Sequence, residues 1–298
     1  MRDGIQGLGW FVRRSSDPVA LAAFYTAAIG LPELRRIETA DAKTVMLRAG
    51  TFSVFELSLG GEPPSPDPAE TECTPLFRSR NLADAVAKAQ GAGAKIIGEE
   101  TEGSLRTVTM ADPLGHVYGL READPASTQP HDVFAEHQWR NPHPTAQAMP
   151  AMSAAVQGLT CVRVRVSDPM TLARFYGDCV GLDPIGAPSS ERASFYLGGS
   201  CILELRAGGT RRDPPNDRAN VTDTWVLRVH DLVGMKAHFA VREVRTVNSL
   251  EVPGGWIEYY CDPEGHLFGI QERQRPQTGG SPALLPEDTA AFALWDAR

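Results

Sequence analysis

Cys261-Asp262-Pro263-Glu264-Gly265-His266-Leu267-Phe268-Gly269-Ile270 is the stretch whose reading decides the fold. Asp-Pro-x-Gly is turn chemistry: proline presets φ for the bend, and glycine accepts the positive φ that closes it. The alternating run behind the turn predicts a strand. The same arrangement stands 150 residues earlier, as Ala111-Asp112-Pro113-Leu114-Gly115-His116-Val117-Tyr118-Gly119-Leu120. A repeat at half the length of a 298-residue chain predicts that the elements between repeat as well.

They do. Ile5 to Ser16 predicts a strand, and Asp17-Pro18 the cap and first turn of a helix that runs to Ile29 and stops at Gly30. Leu21, Phe24, Tyr25 and Ala28 share one face of it. Extended runs follow at Glu33 to Thr39, Lys43 to Ala49 and Thr51 to Leu59, so the unit is strand, helix, three strands. After the proline-rich break 63–68 the unit returns, with strand Thr74 to Arg80, helix Leu82 to Gln90 and strands ending in the Asp112 turn. In the second half, Leu159 to Val166, Asp168-Pro169, helix Met170 to Val180 and Gly181 restate the first unit. Thr222 to Val229, helix Asp231 to Val241 and the Asp262 turn restate the second. The expected fold class is α+β: four βαβββ modules in two paired domains, 1–123 and 156–273, with a linker 124–155 and a tail 274–298. Phe134 to Trp139 and Phe292 to Trp295 predict short aromatic helices covering sheet surface, or else unstructured segments.

Composition narrows the function classes. A net charge of −8 argues against a nucleic-acid surface. No apolar run has the length of a membrane span, and Met1-Arg2-Asp3-Gly4 does not open a signal peptide. Five cysteines without a Cys-x-x-Cys pair point to a reducing, cytoplasmic setting. The expected partner is a small molecule, not nucleic acid or membrane, with a homodimer as one further option.

Strand, Asp-Pro, helix with Phe-Tyr, Gly-Leu, a later Phe-Glu-Leu and a closing Asp-Pro-x-Gly together resemble the vicinal oxygen chelate superfamily. Its members include glyoxalase I, extradiol dioxygenases, fosfomycin-resistance enzymes and bleomycin-binding proteins. The resemblance implies two glyoxalase/bleomycin-resistance-like domains, each a curved mixed sheet around a groove. In metal-using members, His or carboxylate ligands come from the first and last strands of each module. Carried over, those positions fall on Trp10, Glu56, Thr74 and Gly119 in the first half, and on Cys161, Glu204, Thr224 and Gly269 in the second. These are not three or four good donors for one ion, so no metal and no other cofactor is expected. His116 and His266, just past the turn glycine, are expected to face solvent or cap the turn.

Strand parity says what else lines the grooves. Cys161 brings Arg163 and Arg165, Glu204 brings Arg206, Thr224 brings Arg228, and Thr74 brings Arg78. Trp10 brings Val12 and Arg14, which leaves Arg13 on the helix side and against the pattern. Glutamate with arginine is either a buried ion pair or a polar floor for a small ligand, the arginine offering a planar fork to an anion. The leading expectation is a metal-independent binding protein for a small organic molecule, an anion being one option. Its ligand residues are Cys161, Arg163, Glu204, Thr224, Arg228 and Gly269, ahead of the equivalents Trp10, Glu56, Thr74, Arg78 and Gly119. Two alternatives stand beside it. One is a lyase, isomerase or dioxygenase of the same superfamily, with Glu204 as base and Arg163 or Arg228 stabilising anionic charge. The other is mainly an oligomerisation scaffold.

Overall fold

The computed structural model describes residues 5–39, 43–50, 53–65, 67, 70–103, 105–142, 150–153, 155–252 and 255–272. The expected tail helix at 292–295 lies outside them. Four βαβββ modules follow one another. The first has β1 (Ile5–Ser15), helix Pro18–Phe24, β2 (Glu33–Glu38), β3 (Lys43–Arg48) and β4 (Val54–Leu59). The second has β5 (Cys73–Ser79), helix Leu82–Gly91, β6 (Lys95–Glu102), β7 (Leu105–Ala111) and β8 (Val117–Glu122). The third has β9 (Val156–Val166), helix Pro169–Arg174, β10 (Asp183–Pro184), β11 (Arg192–Tyr196) and β12 (Ile202–Ala207). The fourth has β13 (Asp223–Val229), helix Leu232–Val241, β14 (Thr246–Val252), β15 (Gly255–Cys261) and β16 (Leu267–Gln271). The linker carries the helix Pro130–Arg140, which includes Phe134 to Trp139.

The first helix of each half begins on its aspartate, Asp17 or Asp168, whose carboxylate accepts a backbone N–H of the first turn. Each then widens into a wide turn, with Gly30 N donating to Tyr25 O and Gly181 N to Tyr176 O. Both turns end on a glycine at positive φ, 83° and 90°.

The modules form two eight-stranded mixed sheets, ordered β14-β15-β16-β13-β1-β4-β3-β2 and β10-β11-β12-β9-β5-β8-β7-β6. The first module therefore pairs with the fourth, and the second with the third, so each half of the chain contributes one module to each sheet. This corrects the grouping of groove residues by chain half. Arg13 supplies a physical reason. β1 runs antiparallel to β13 with Arg13 opposite Asp223, and β5 runs antiparallel to β9 with Cys73 opposite Val164. Pairing within halves would set Arg13 against Cys73 and Asp223 against Val164, two unpaired charges in an apolar core.

The helix-bearing faces of both sheets meet over one shared core. Phe11, Tyr25, Phe55, Phe77, Tyr118, Val164, Tyr176, Trp225 and Phe268 all belong to it. Arg13, fully buried there, donates to both Asp223 oxygens at 2.8 and 2.6 Å, to the Tyr25 hydroxyl at 2.8 Å and to the Val117 carbonyl at 2.8 Å. Its place on the helix side, anomalous by parity, is thus its correct place. Polar stitches between the sheets flank it: Tyr25 donates to Asp112 at 3.1 Å, and Tyr176 to Asp262 at 2.9 Å. The repeated Phe-Tyr and Asp-Pro-x-Gly motifs meet here, and their role is architectural.

The two turn histidines are buried, which corrects the solvent-facing half of the expectation for them; His266 instead holds the turn through Asp262. Each backbone N–H donates to its turn aspartate at 3.0 Å, drawing the side chain inward. Burial, with the nearby Arg13 charge, pushes the His116 imidazole down to about 3. His266 goes the other way: burial opposes its charge, but the Asp262 carboxylate 2.8 Å from Nδ1, with Asp262, Glu72 and Glu264 charge, raises its pKa. A raised histidine contributes stability fully below about pH 6.5, and that contribution fades as pH climbs through the folded value. The gap in urea midpoint between the native chain and His266→Gln, in which the opposite trend of His116 cancels, is therefore expected to narrow from pH 6 upward. A gap that stays constant with pH would count against the Asp262 pair as the cause.

Candidate functional site

On the faces away from the shared core, each sheet bears a groove. One holds Trp10, Glu56, Thr224 and Gly269, and the other Cys161, Glu204, Thr74 and Gly119. Arg163 and Arg78 belong with the second set, and Arg228 with the first. Glu204 and Arg228, expected to act together, lie in different sheets.

The groove of the β5–β9 sheet is built around Glu204, whose side chain is 0% exposed. β12 runs parallel to β9 with Glu204 beside Arg163, and β11 places Ser194 beside Glu204 and Arg192 beside Arg206. β8 adds Arg121, two residues beyond Gly119. The Glu204 carboxylate thus meets Arg163 at 2.5 Å, Arg192 at 2.9 Å, Arg206 at 3.1 Å and Arg121 at 3.7 Å. Burial alone would raise its pKa, but Arg163, Arg121, Arg192 and Arg206 overcome that and hold the carboxyl at about 2. Outside this shell, Glu102 pairs with Arg192 at 2.8 Å and with Arg206, and Glu100 pairs with Arg163. Arg78 pairs with Asp132 of the linker helix, which also accepts from Ser127 at 2.6 Å.

The equivalent positions around Glu56 are Val12, Thr44, Ser58 and Gln271. Every arginine of the cluster is therefore missing from the other groove. That groove is apolar instead: Trp10 packs with Val54, Val226, Ile257 and Tyr259, and the Arg228 guanidinium lies 4.7 Å from its ring centroid. Trp10 thus fills space in this groove. Glu56 accepts from Ser58 at 2.7 Å.

A cavity of about 540 Å³ opens on the arginine-rich groove. Arg121, Arg192, Thr107 and Ser194 give it polar donors, and Leu105, Ile185 and Ile202 give it apolar wall. Arg121 is steadied by its bond to Thr107 at 3.2 Å, and Arg192 by one to Ser194 at 3.2 Å.

The residues at the superfamily's ligand positions do not fit a metal ion. Glu204 is already claimed by guanidiniums, and burial, followed by Glu204's charge, pushes the Cys161 thiol up to about 12, far from a thiolate. Glycine at the last position serves packing: a Cβ on Gly119 would stand 2.4 Å from Leu76, and one on Gly269 3.0 Å from Val226. Among the described residues no group of three or more His, Cys, Asp or Glu side chains is placed to hold a metal.

Parity from Cys161 and Glu204 reached Arg163 and Arg206, but Arg121, Arg192, Glu100 and Glu102 were missed. Arg121 had a usable signal, since it shares parity with Gly119. Arg192 becomes visible only through the β11–β12 register, and Glu102 only through curvature that brings the two ends of the sheet together.

Residues 10–121 match a family described as Glyoxalase-like domain. No functionally curated protein matches the sequence significantly. Among solved structures, glyoxalase I from Zea mays superposes with a TM-score of 0.63 at 16% identity, over 89% of this chain and 92% of that one. A candidate dioxygenase from Bacillus subtilis superposes with a TM-score of 0.64 at 12% identity, over 96% of this chain and 90% of the other. At such identities the likeness speaks for fold, and fold alone does not carry an activity. Residues 10–121 thus match a glyoxalase-like domain, and the chain as a whole has the glyoxalase-like fold, its four βαβββ modules paired into two mixed sheets.

Proposed function

We propose that the protein binds a small organic anion in the groove of the β5–β9 sheet, without a metal ion and in the cytoplasm. The observation that carries this reading is the cavity of about 540 Å³ with Arg121 and Arg192 in its wall beside apolar Leu105, Ile185 and Ile202. A concave site with apolar walls and a few converging polar groups suits a small molecule, and a guanidinium fork suits a carboxylate. The five cysteines are free, as suits a reducing compartment, and no helix among the described residues is long and apolar enough to cross a membrane. Catalysis with Glu204 as the base has less support. A carboxylate held at about 2 by four guanidiniums is a poor proton acceptor near neutral pH.

Thermal-shift titration with matched pairs tests the proposal: benzoate against benzamide, and hexanoate against hexanamide. The anions are expected to raise the melting temperature and the amides not. Arg121→Ala and Arg192→Ala are each expected to weaken benzoate binding by about tenfold or more, whereas Arg228→Ala leaves it unchanged. Amides as effective as anions, or a loss confined to Arg228→Ala, would overturn the assignment.

A further inference from the structure

Glu102 ends β6, at one edge of its sheet, while Arg192 sits on β11 near the opposite edge, with Arg206 on the neighbouring β12. A flat eight-stranded sheet would hold these residues many strand widths apart. Curvature instead brings the end of β6 across the groove mouth, where the Glu102 carboxylate pairs with Arg192 at 2.8 Å and with Arg206. The contact is between sheet edges that share no backbone ladder.

Arg192 and Arg206 therefore each hold two carboxylates, and the two differ in kind. Glu204 is wholly buried and contacted by four arginines, so it is a fixed part of the wall. Glu102 is 37% exposed, its partner Arg192 is 39% exposed, and both line the cavity. Ion pairs that solvent reaches are individually weak, so this carboxylate is exchangeable where Glu204 is not. Its chemistry is also that of the anion the groove is read as binding.

Resting on that reading, we propose that Glu102 is a tethered occupant of the anion seat, and that the ligand is an organic carboxylate that displaces it. The entering carboxylate takes the outer N–H groups of Arg192 and Arg206, and its apolar body lies against Leu105, Ile185 and Ile202. The Glu102 side chain rotates into solvent while the backbone of β6, paired to Leu105 of β7, stays in place. The tether sets a threshold: a ligand must bind the arginines better than Glu102 does, which favours carboxylates over neutral isosteres.

Isothermal titration of benzoate into the full chain, its Glu102→Gln variant and its Glu99→Gln variant tests this. Glu99 lies on the same hairpin, pairs with Arg106 at 3.3 Å in solvent and serves as the control. Glu102→Gln is expected to tighten benzoate binding about three- to tenfold by removing the competing charge, and Glu99→Gln to leave it unchanged. If benzoate binds the native chain and Glu102→Gln leaves affinity equal or weaker, displacement is wrong and anion binding stands. If benzoate binds neither protein, anion binding itself is wrong and displacement falls with it. Binding seen only in Glu102→Gln would support both.

Discussion

Glu204→Gln is expected to destabilise the fold by roughly 3–5 kcal/mol, although the side chain hardly changes size. Four guanidiniums converge on this carboxylate inside the sheet, and glutamine leaves them facing one another without its charge. Glu56→Gln, at the matching position of the other sheet, is expected to cost under about 1 kcal/mol, because Ser58 is its hydrogen-bond partner and no arginine ring surrounds it. Acid gives the same answer by another route. A carboxylate whose folded pKa is depressed contributes stability above its ordinary value and loses it as pH falls toward the folded one. For Glu204 that window runs from the ordinary glutamate value of 4.5 down to about 2. Urea melts of native and Glu204→Gln protein from pH 5 to pH 2 check both points: the native chain should lose more over this range. A variant as stable as the native chain at neutral pH would show that the arginines do not need the carboxylate.

Arg13→Val is the second large effect, also about 3–5 kcal/mol, and it is expected to be largely undone by a second change. The single variant leaves Asp223 facing an apolar core and removes hydrogen-bond donors from Tyr25 and Val117. At the corresponding place in the other sheet the chain has Val164 opposite Cys73, with neither charge, and Asp262, which matches Asp112 in the repeated turn, is held by Tyr176, His266 and backbone N–H groups. Arg13→Val with Asp223→Ala should therefore recover much of the loss, with a coupling of about 2 kcal/mol or more in a double-mutant cycle of urea midpoints. Additive losses would mean that Arg13 acts through packing and not through Asp223.

The fold was legible because its signals are local. Asp-Pro-x-Gly at residues 112–115 and 262–265, the Phe-Tyr pairs and the glycine stops at Gly30 and Gly181 each act within a few residues of themselves. Which module pairs with which is a long-range choice, and local chemistry is silent on it. Arg13 was the exception: a cation on the apolar side of a strand demands a carboxylate opposite, and Asp223, not Cys73, can meet that demand. Half of the site was legible for the same reason. Arg163, Arg206 and Glu204 follow from strand parity, whereas Arg192 depends on the β11–β12 register and Glu102 on the curl of the whole sheet. The turn histidines went astray because a polar residue beside a turn is ordinarily solvated, and here the second sheet covers it.

Diffraction from crystals soaked in 4-bromobenzoate tests anion binding most directly, since the bromine marks the ligand by its anomalous signal. The peak is expected in the groove of the β5–β9 sheet, against Leu105, Ile185 and Ile202, with the carboxylate within hydrogen-bond reach of Arg121 or Arg192. A peak only beside Trp10 and Arg228, or a carboxylate that touches neither Arg121 nor Arg192, would contradict it.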